Sequence, residues 1–226
     1  MLEHIIFDLD GTLTDPFLGI TRSVQFALSH FGISVENLEA LTCFIGPPLL
    51  DSFRQFYGFT EEQAEEAVVF YRKYFRETGI FENEVLEGIP ELLSNLRAAG
   101  KKLYVATSKP QIFAEQILEH FSLRTYFQGV CGSNLDGSRC RKAEVIDDIL
   151  NTLPPNASAV MVGDRMYDVA GAKEAGIPCI GVTYGYGGEE ELRQAGADRI
   201  AATVQELEQC LLQESRDEQK EGESCS

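Results

Sequence analysis

The stretch Asp8-Leu9-Asp10-Gly11-Thr12 sets two carboxylates two residues apart, directly after the apolar run "HIIF". Residues i and i+2 of an extended chain point the same way. The sequence therefore aims two like charges at one place. Bare carboxylates that crowd each other either keep a proton or recruit a cation. Two more aspartates, Asp164 and Asp168, follow a second apolar run, "AVMVG". Oxygen donors with no His or Cys nearby suit a hard ion such as Mg²⁺. The three histidines, His4, His30 and His120, are widely spaced and form no cluster of metal-binding type.

An aspartate beside Mg²⁺ is a nucleophile for phosphorus and forms an aspartyl-phosphate. That chemistry needs a proton donor for the departing alkoxide and then a base for water. Asp10, facing the same way as Asp8, is suited to both tasks. A phosphate also needs positive charge. Lys142 is the leading donor, with Lys109, Arg141 and Arg165 behind it. Thr107 or Ser108 supplies a hydroxyl, and the backbone N–H groups around Gly11 supply more.

These groups must be brought together from distant segments. Four short apolar runs read as buried parallel strands: 4–9, 102–108, 159–164 and 179–183. Helical patterns separate them. Ile89, Leu92, Leu93 and Leu96 share one face of a helix that ends at Gly100, and Pro110 starts another that carries Ile112, Ile117, Leu118 and Phe121. "KAEVIDDIL" and "YDVAGAKEAG" continue the alternation, and "DRIA" and "TVQELEQCLL" add a short strand and a last helix. Strands alternating with helices predict an α/β fold, a doubly wound Rossmann-like parallel sheet. In such a sheet, ligands bind beyond the carboxyl ends of the strands. Those ends are where Asp8, Thr107-Ser108 and Asp164 fall.

Residues 16–86 break the alternation and read as consecutive helices. One carries Ile20, Val24, Ala27, Leu28 and Phe31 and stops at Gly32. A second carries Leu49, Phe53 and Phe56. A third opens with Thr60 and Gln63 at capping-box spacing. An all-helical insert directly after a strand end that bears chemistry suggests a lid. The expected organisation is a core of residues 1–15 and 87–212, an inserted α-helical cap domain of residues 16–86, and a disordered acidic tail of residues 213–226.

Bulk properties narrow the partners. The chain has 226 residues and a formal net charge of −17. Such a surface repels nucleic acid and anionic membranes, so neither is expected as a partner. The six cysteines are scattered without a CxxC pair. The N-terminus lacks a basic region and a long apolar core, and no apolar run reaches the roughly 18 residues of a membrane span. Reduced thiols, a cytoplasmic location and a monomer or weak homo-oligomer are the expectations.

"DLDGT" at 8–12 resembles the DxDxT signature of the haloacid dehalogenase-like hydrolase superfamily. "YVATSKP" is similar to its second motif, "CRKAEVI" holds a lysine for the third, and "VMVGDRMYD" is similar to the fourth, GDxxxD. The four occur in order over residues 3 to about 212. The resemblance implies Asp8 as nucleophile and Mg²⁺ ligand, and Asp10 as general acid/base whose backbone carbonyl also binds the metal. It implies Thr107 as a hydrogen bond to the phosphoryl group and Lys142 as its counter-charge. Asp164 becomes a metal ligand, and Asp168 either holds a metal-bound water or orients Lys142; Arg141, next to Lys142, is the alternative cation. In the insert, "FIGPPLLDSFRQFYG" resembles the phosphoglycolate phosphatase and nucleotidase-like branch, in which an arginine such as Arg54 faces the substrate. The implied activity is Mg²⁺-dependent hydrolysis of a small phosphorylated metabolite. A β-phosphoglucomutase-like mutase is the alternative. A dehalogenase does not use the acid/base at Asp10, and a phosphonatase would need a cap lysine, for which Lys73 is a poor candidate.

Overall fold

The computed structural model describes residues 2–212; the proposed acidic tail lies outside the described residues. The described residues divide into two compact units, one of residues 2–13 and 85–212, the other of Thr14–Glu84.

The first unit is built on a six-stranded sheet in the order β5-β4-β1-β6-β7-β8. Its strands are β1 (His4–Phe7), β4 (Lys102–Pro110), β5 (Phe127–Ser133), β6 (Ala159–Gly163), β7 (Cys179–Val182) and β8 (Arg199–Ala201). Every strand pair is parallel. The crossover helices are α4 (Ile89–Ala98), α5 (Gln111–His120), α6 (Lys142–Leu150), α7 (Met166–Glu174) and α8 (Glu189–Ala195), and residues 204–212 form a last helix. From β1 the chain steps outward to β4 and β5, then returns to β6 beside β1 and continues outward the other way. Right-handed crossovers then set α4 and α5 on one face and α6 and α7 on the other. The face under α6, α7 and α8 buries Ile6, Tyr104, Ala106 and Met161 against Val145, Ile146, Ile149, Val169, Ala172 and Leu192. Pleating turns Ile5, Phe7, Leu103 and Val105 to the opposite face, and all four are buried.

The switch in strand order falls between β1 and β6. Their register pairs Phe7 with Val162, and the Asp8 N–H donates to the Val162 carbonyl at 2.8 Å. The first residues past the two strands are Asp8 and Asp164, so the crevice that a doubly wound sheet opens at its switch point is lined by carboxylates.

The second unit holds α1 (Phe17–His30), α2 (Leu49–Tyr57) and α3 (Glu61–Glu77), with a 3-10 turn at Leu38–Phe44. Two-residue strands β2 (Thr14–Asp15) and β3 (Glu84–Val85) pair with each other. Asp15 Oδ1 accepts from the Phe17 N–H at 3.0 Å and fixes the start of α1. Of the predicted stripe of α1, Ile20, Val24, Ala27 and Leu28 are buried, whereas Phe31 lies just past the helix end and is half-buried. In α2 only part of the predicted stripe holds: Phe53 is buried among Phe44 and Phe59, whereas Phe56 is exposed.

Other features also differ from the expectations. β5 was not anticipated, because Gly129 and Gly132 dilute its apolar pattern and it runs along the sheet edge. α8 was also missed, since three glutamates and an arginine leave a single buried side chain, Leu192. Ile112, expected on the buried face of α5, is 50% exposed, because it lies in the first turn at the sheet's carboxyl edge. Strands β1, β6 and β7 stop short of the predicted ends, and β4 runs on to Pro110. Cys43, Cys131, Cys140, Cys179 and Cys210 are not joined in disulfides. Among the described residues no helix is long and apolar enough to cross a membrane.

The capping box of α3 gives a stability prediction. Thr60 Oγ1 accepts from the Gln63 N–H at 3.3 Å while Gln63 Oε1 accepts from the Thr60 N–H at 3.0 Å. Thr60→Ala should lower the denaturation free energy by about 1 kcal/mol, read from urea titration. An unchanged midpoint would mean that the cap is not formed in solution.

Candidate active site

Residues at or beyond the carboxyl ends of β1, β4 and β6 form two charge clusters. The first is centred on Lys142, at the first turn of α6. Its ammonium donates to Asp8 Oδ1 at 2.7 Å and to the Ala106 carbonyl at 3.1 Å, and it pairs with Asp168 Oδ1 at 2.9 Å. Two of its three N–H groups are spent on hydrogen bonds, and the contact with Asp168 is an ion pair. Asp168 is held from its other side, where Oδ2 accepts from the Arg165 N–H at 3.0 Å and starts α7. Gly171 of α7 makes room for the lysine stem; a Cβ there would lie 2.7 Å from Lys142 Cβ and Cγ.

Asp164 is fully buried beside this group. Its Oδ2 accepts from the Tyr186 N–H at 2.7 Å and its Oδ1 from the Thr12 hydroxyl at 3.3 Å. The Tyr184 hydroxyl donates in turn to the Thr12 carbonyl at 3.3 Å. Two glycines close around the carboxylate. Gly11 turns at φ +82°, which favours glycine, and a Cβ on it would stand 2.3 Å from Asp164 Oδ2. Gly185 has an ordinary φ, but its Cβ would lie 2.4 Å from both Asp164 Oδ2 and the Gly11 carbonyl. No side chain fits there.

The second cluster is a pair. Lys109 Nζ lies 2.8 Å from Asp10 Oδ1, and both side chains are over nine-tenths buried. Thr107 is buried, and its Oγ1 accepts from the Lys109 N–H at 3.2 Å. Ser108 follows, half-buried on β4.

The structure thus brings Asp8, Asp10, Gly11, Thr107, Ser108, Lys142, Asp164 and Asp168 into the sheet unit, at or beyond the carboxyl ends of its strands. Arg54 belongs to the helical unit, where it is exposed on α2. Arg141 takes no part beside Lys142; its guanidinium donates to Glu174 Oε2 at 2.7 Å on the surface. Arg165 pairs with Glu191 at 2.9 Å. Sequence reading missed the loop that follows β7, although its run "TYGYGG" signalled close backbone approach. It also ranked Lys109 as a minor phosphate donor, whereas the ammonium sits on Asp10.

The electrostatics fit a bound dication. Asp8, Asp164 and Asp168 each offer an oxygen, and the three oxygens lie within 4.8 Å of one another. Against these three carboxylates stands the single ammonium of Lys142, which leaves two negative charges uncompensated when all are ionised. Burial, then the charges of Asp168 and Asp8, drive Asp164 well above the ordinary carboxylate range. Burial pushes Asp168 up to about 6, with Lys142 pulling against it. Lys142 itself is held above its usual value, because Asp168 and Asp8 outweigh the cost of burying it. Between pH 3.8 and about 6 the cation-free fold keeps a proton on Asp168 that the unfolded chain has lost. Its stability therefore falls as pH rises through that window. An all-oxygen set of this charge suits a hard divalent ion.

Stripping divalent ions with a chelator and restoring Mg²⁺ at neutral pH should raise Tm. A ligand at 100 times its Kd adds about 2.7 kcal/mol, several degrees for a chain of this size. Asp164→Asn should abolish the rise, and Gly185→Ala, which drives a methyl group into that carboxylate, should weaken it. Equal melting of the wild type with and without Mg²⁺ would rule out this cluster as a cation site.

Comparison with known proteins agrees with the geometry. A family model described as haloacid dehalogenase-like hydrolase matches residues 5–182. A Pseudomonas aeruginosa protein named 5'-nucleotidase is 52% identical over 92% of this chain and 95% of its own length. Tyrosine-protein kinase PtkA of Mycobacterium tuberculosis is 40% identical over 92% of this chain and 72% of its own. The crystal structure of a predicted phosphatase from Clostridium acetobutylicum superposes with a TM-score of 0.91 at 49% identity, covering 94% of this chain and 99% of the other. With the four motif segments assembled at one edge of the sheet, this chain belongs to the haloacid dehalogenase-like hydrolase family and is one of its phosphatases.

Proposed function

We propose that the chain is a Mg²⁺-dependent phosphatase that hydrolyses a small phosphate monoester through an aspartyl-phosphate on Asp8. The observation that carries this reading is the Lys142 ammonium, 2.7 Å from Asp8 and 2.9 Å from Asp168. It fixes one Asp8 oxygen in place at the switch point of the sheet. A carboxylate so placed is a nucleophile, and the surplus negative charge around it calls for a cation.

Mg²⁺ held by Asp8, Asp164 and the Asp10 carbonyl, with Asp168 close by, would offset the charge of the phosphoryl group. An Asp8 oxygen attacks phosphorus as the bond to the leaving oxygen breaks, and Asp10 delivers a proton to that oxygen. Asp10 then takes a proton from water, whose oxygen attacks phosphorus. The Asp8–phosphorus bond breaks, and phosphate leaves. Burial raises the Asp10 carboxyl above its ordinary range against the pull of Lys109, which supports its carrying a proton into the first step. Thr107 donates a hydrogen bond to the phosphoryl oxygens, Ser108 and the N–H groups around Gly11 assist, and Lys142 offsets their charge.

For substrate, the similarity to a protein named 5'-nucleotidase favours a nucleoside 5'-monophosphate over phosphoglycolate. The helical unit acts as the cap, and Arg54 contributes to recognition there. The mutase alternative shares Asp8 and Asp10 and differs in the fate of the phosphoryl group.

Asp8→Asn should abolish phosphate release with Mg²⁺ present; wild-type turnover in that variant would overturn the covalent mechanism. A metabolite panel that follows free phosphate separates the activities. A mutase would yield isomerised product with little free phosphate. The panel should include ATP with a tyrosine peptide, the acceptor in the mycobacterial relative's name. Arg54→Ala should raise KM for the preferred ester more than for 4-nitrophenyl phosphate, and equal rises would remove Arg54 from recognition.

A further inference from the structure

The carboxyl end of β4 carries a corner whose geometry the hydrolytic scheme leaves unused. Its pairing with β5 runs in register from Tyr104 opposite Gly129 to Thr107 opposite Gly132 and then jumps to Pro110 opposite Ser133. Ser108 and Lys109 are thus extra residues in a bulge, the device by which a strand re-aims a side chain. Three constraints fix the corner. The Lys109 N–H is tied to Thr107 Oγ1 at 3.2 Å. Pro110, with φ −53°, restricts Lys109 before it to extended backbone. Gly132 lets the corner lie against β5, since a Cβ there would stand 2.6 Å from the Lys109 carbonyl. The sequence Thr-Ser-Lys-Pro therefore encodes a rigid turn that presents one ammonium, and that ammonium meets Asp10 Oδ1 at 2.8 Å.

A buried ion pair contributes little net stability, because desolvation offsets attraction. What it supplies is geometry. Asp10 follows Asp8 by two residues, and without a partner its carboxylate would turn about its own side-chain bonds. We propose that Lys109 is a positioning residue that acts through Asp10: it holds Oδ1 and leaves Oδ2 to pass the proton to the departing oxygen of the substrate. This assignment rests on the phosphatase reading above and adds a residue to it. Lys142 serves the nucleophile; Lys109 serves the proton carrier.

The test uses two esters of matched shape, phenyl phosphate and 4-nitrophenyl phosphate, with Mg²⁺. The phenoxide is the more basic leaving group and needs the proton more. The parameter is kcat/KM, which covers steps through departure of the leaving group. Lys109→Met should lower kcat/KM for phenyl phosphate about tenfold more than for 4-nitrophenyl phosphate, within the range of general-acid effects. Lys109→Arg, which keeps a cation on Asp10, should restore most of the difference. In an Asp10→Asn background, Lys109→Met should add less than about a threefold loss, because the two residues act as one unit. Equal losses on both esters, a loss confined to KM, or full additivity with Asp10→Asn would overturn the proposal and make Lys109 a structural or phosphate-holding residue. Absence of Mg²⁺-dependent turnover of either ester by the wild type would overturn the phosphatase reading itself, and the role of Lys109 with it.

Discussion

The interaction on which the rest of this structure depends is the repulsion among carboxylates buried where β1 and β6 end. Asp8, Asp164 and Asp168 are each at most 3% exposed. Water does not screen them there, so each must be met by a donor fixed in advance. The surrounding fold supplies those donors from different elements. The start of α7 gives a backbone N–H to Asp168, the loop after β7 gives one to Asp164, and the first turn of α6 gives the Lys142 ammonium. Each of these elements sits where it does because a doubly wound sheet returns its crossovers to the same edge. The fold and the charge cluster are therefore one problem with one solution.

The same constraint accounts for how two neighbouring aspartates differ. Asp8 and Asp10 leave the same short stretch of chain, yet each meets a different lysine from a different element. Lys142 also carries Asp168 and the Ala106 carbonyl, and so ties β1, β4 and α7 together. Lys109 meets Asp10 from a bulged strand end. Separate counter-ions let two like groups, about one strand repeat apart, hold different geometries.

Much of the centre was legible in the sequence. The apolar runs before Asp8 and Asp164 marked them as strand-end residues, and the alternation of strands and helices placed those ends on one edge. The resemblance to a known family then ordered Thr107 and Lys142 around them. What was not legible depends on non-local packing. The partner of Asp10 follows from a register shift between β4 and β5, and β5 itself hid behind two glycines. The glycines at 11 and 185 matter because of what lies 2.3 and 2.4 Å from their missing side chains, which no local pattern reports. Ile112 and Phe56 fit a helical stripe by spacing but face outward, because a stripe states periodicity and not where the neighbouring element ends.

The loop after β7 carries one more consequence. Lys142 follows Asp8 by 134 positions, and Tyr186 lies 22 beyond Asp164. No nascent chain shorter than about residue 186 can hold the whole charge cluster. During translation the carboxylates emerge before their donors, and contacts across such separations close late. A chain that stops before that loop lacks the backbone N–H that meets Asp164, even with every motif aspartate already made.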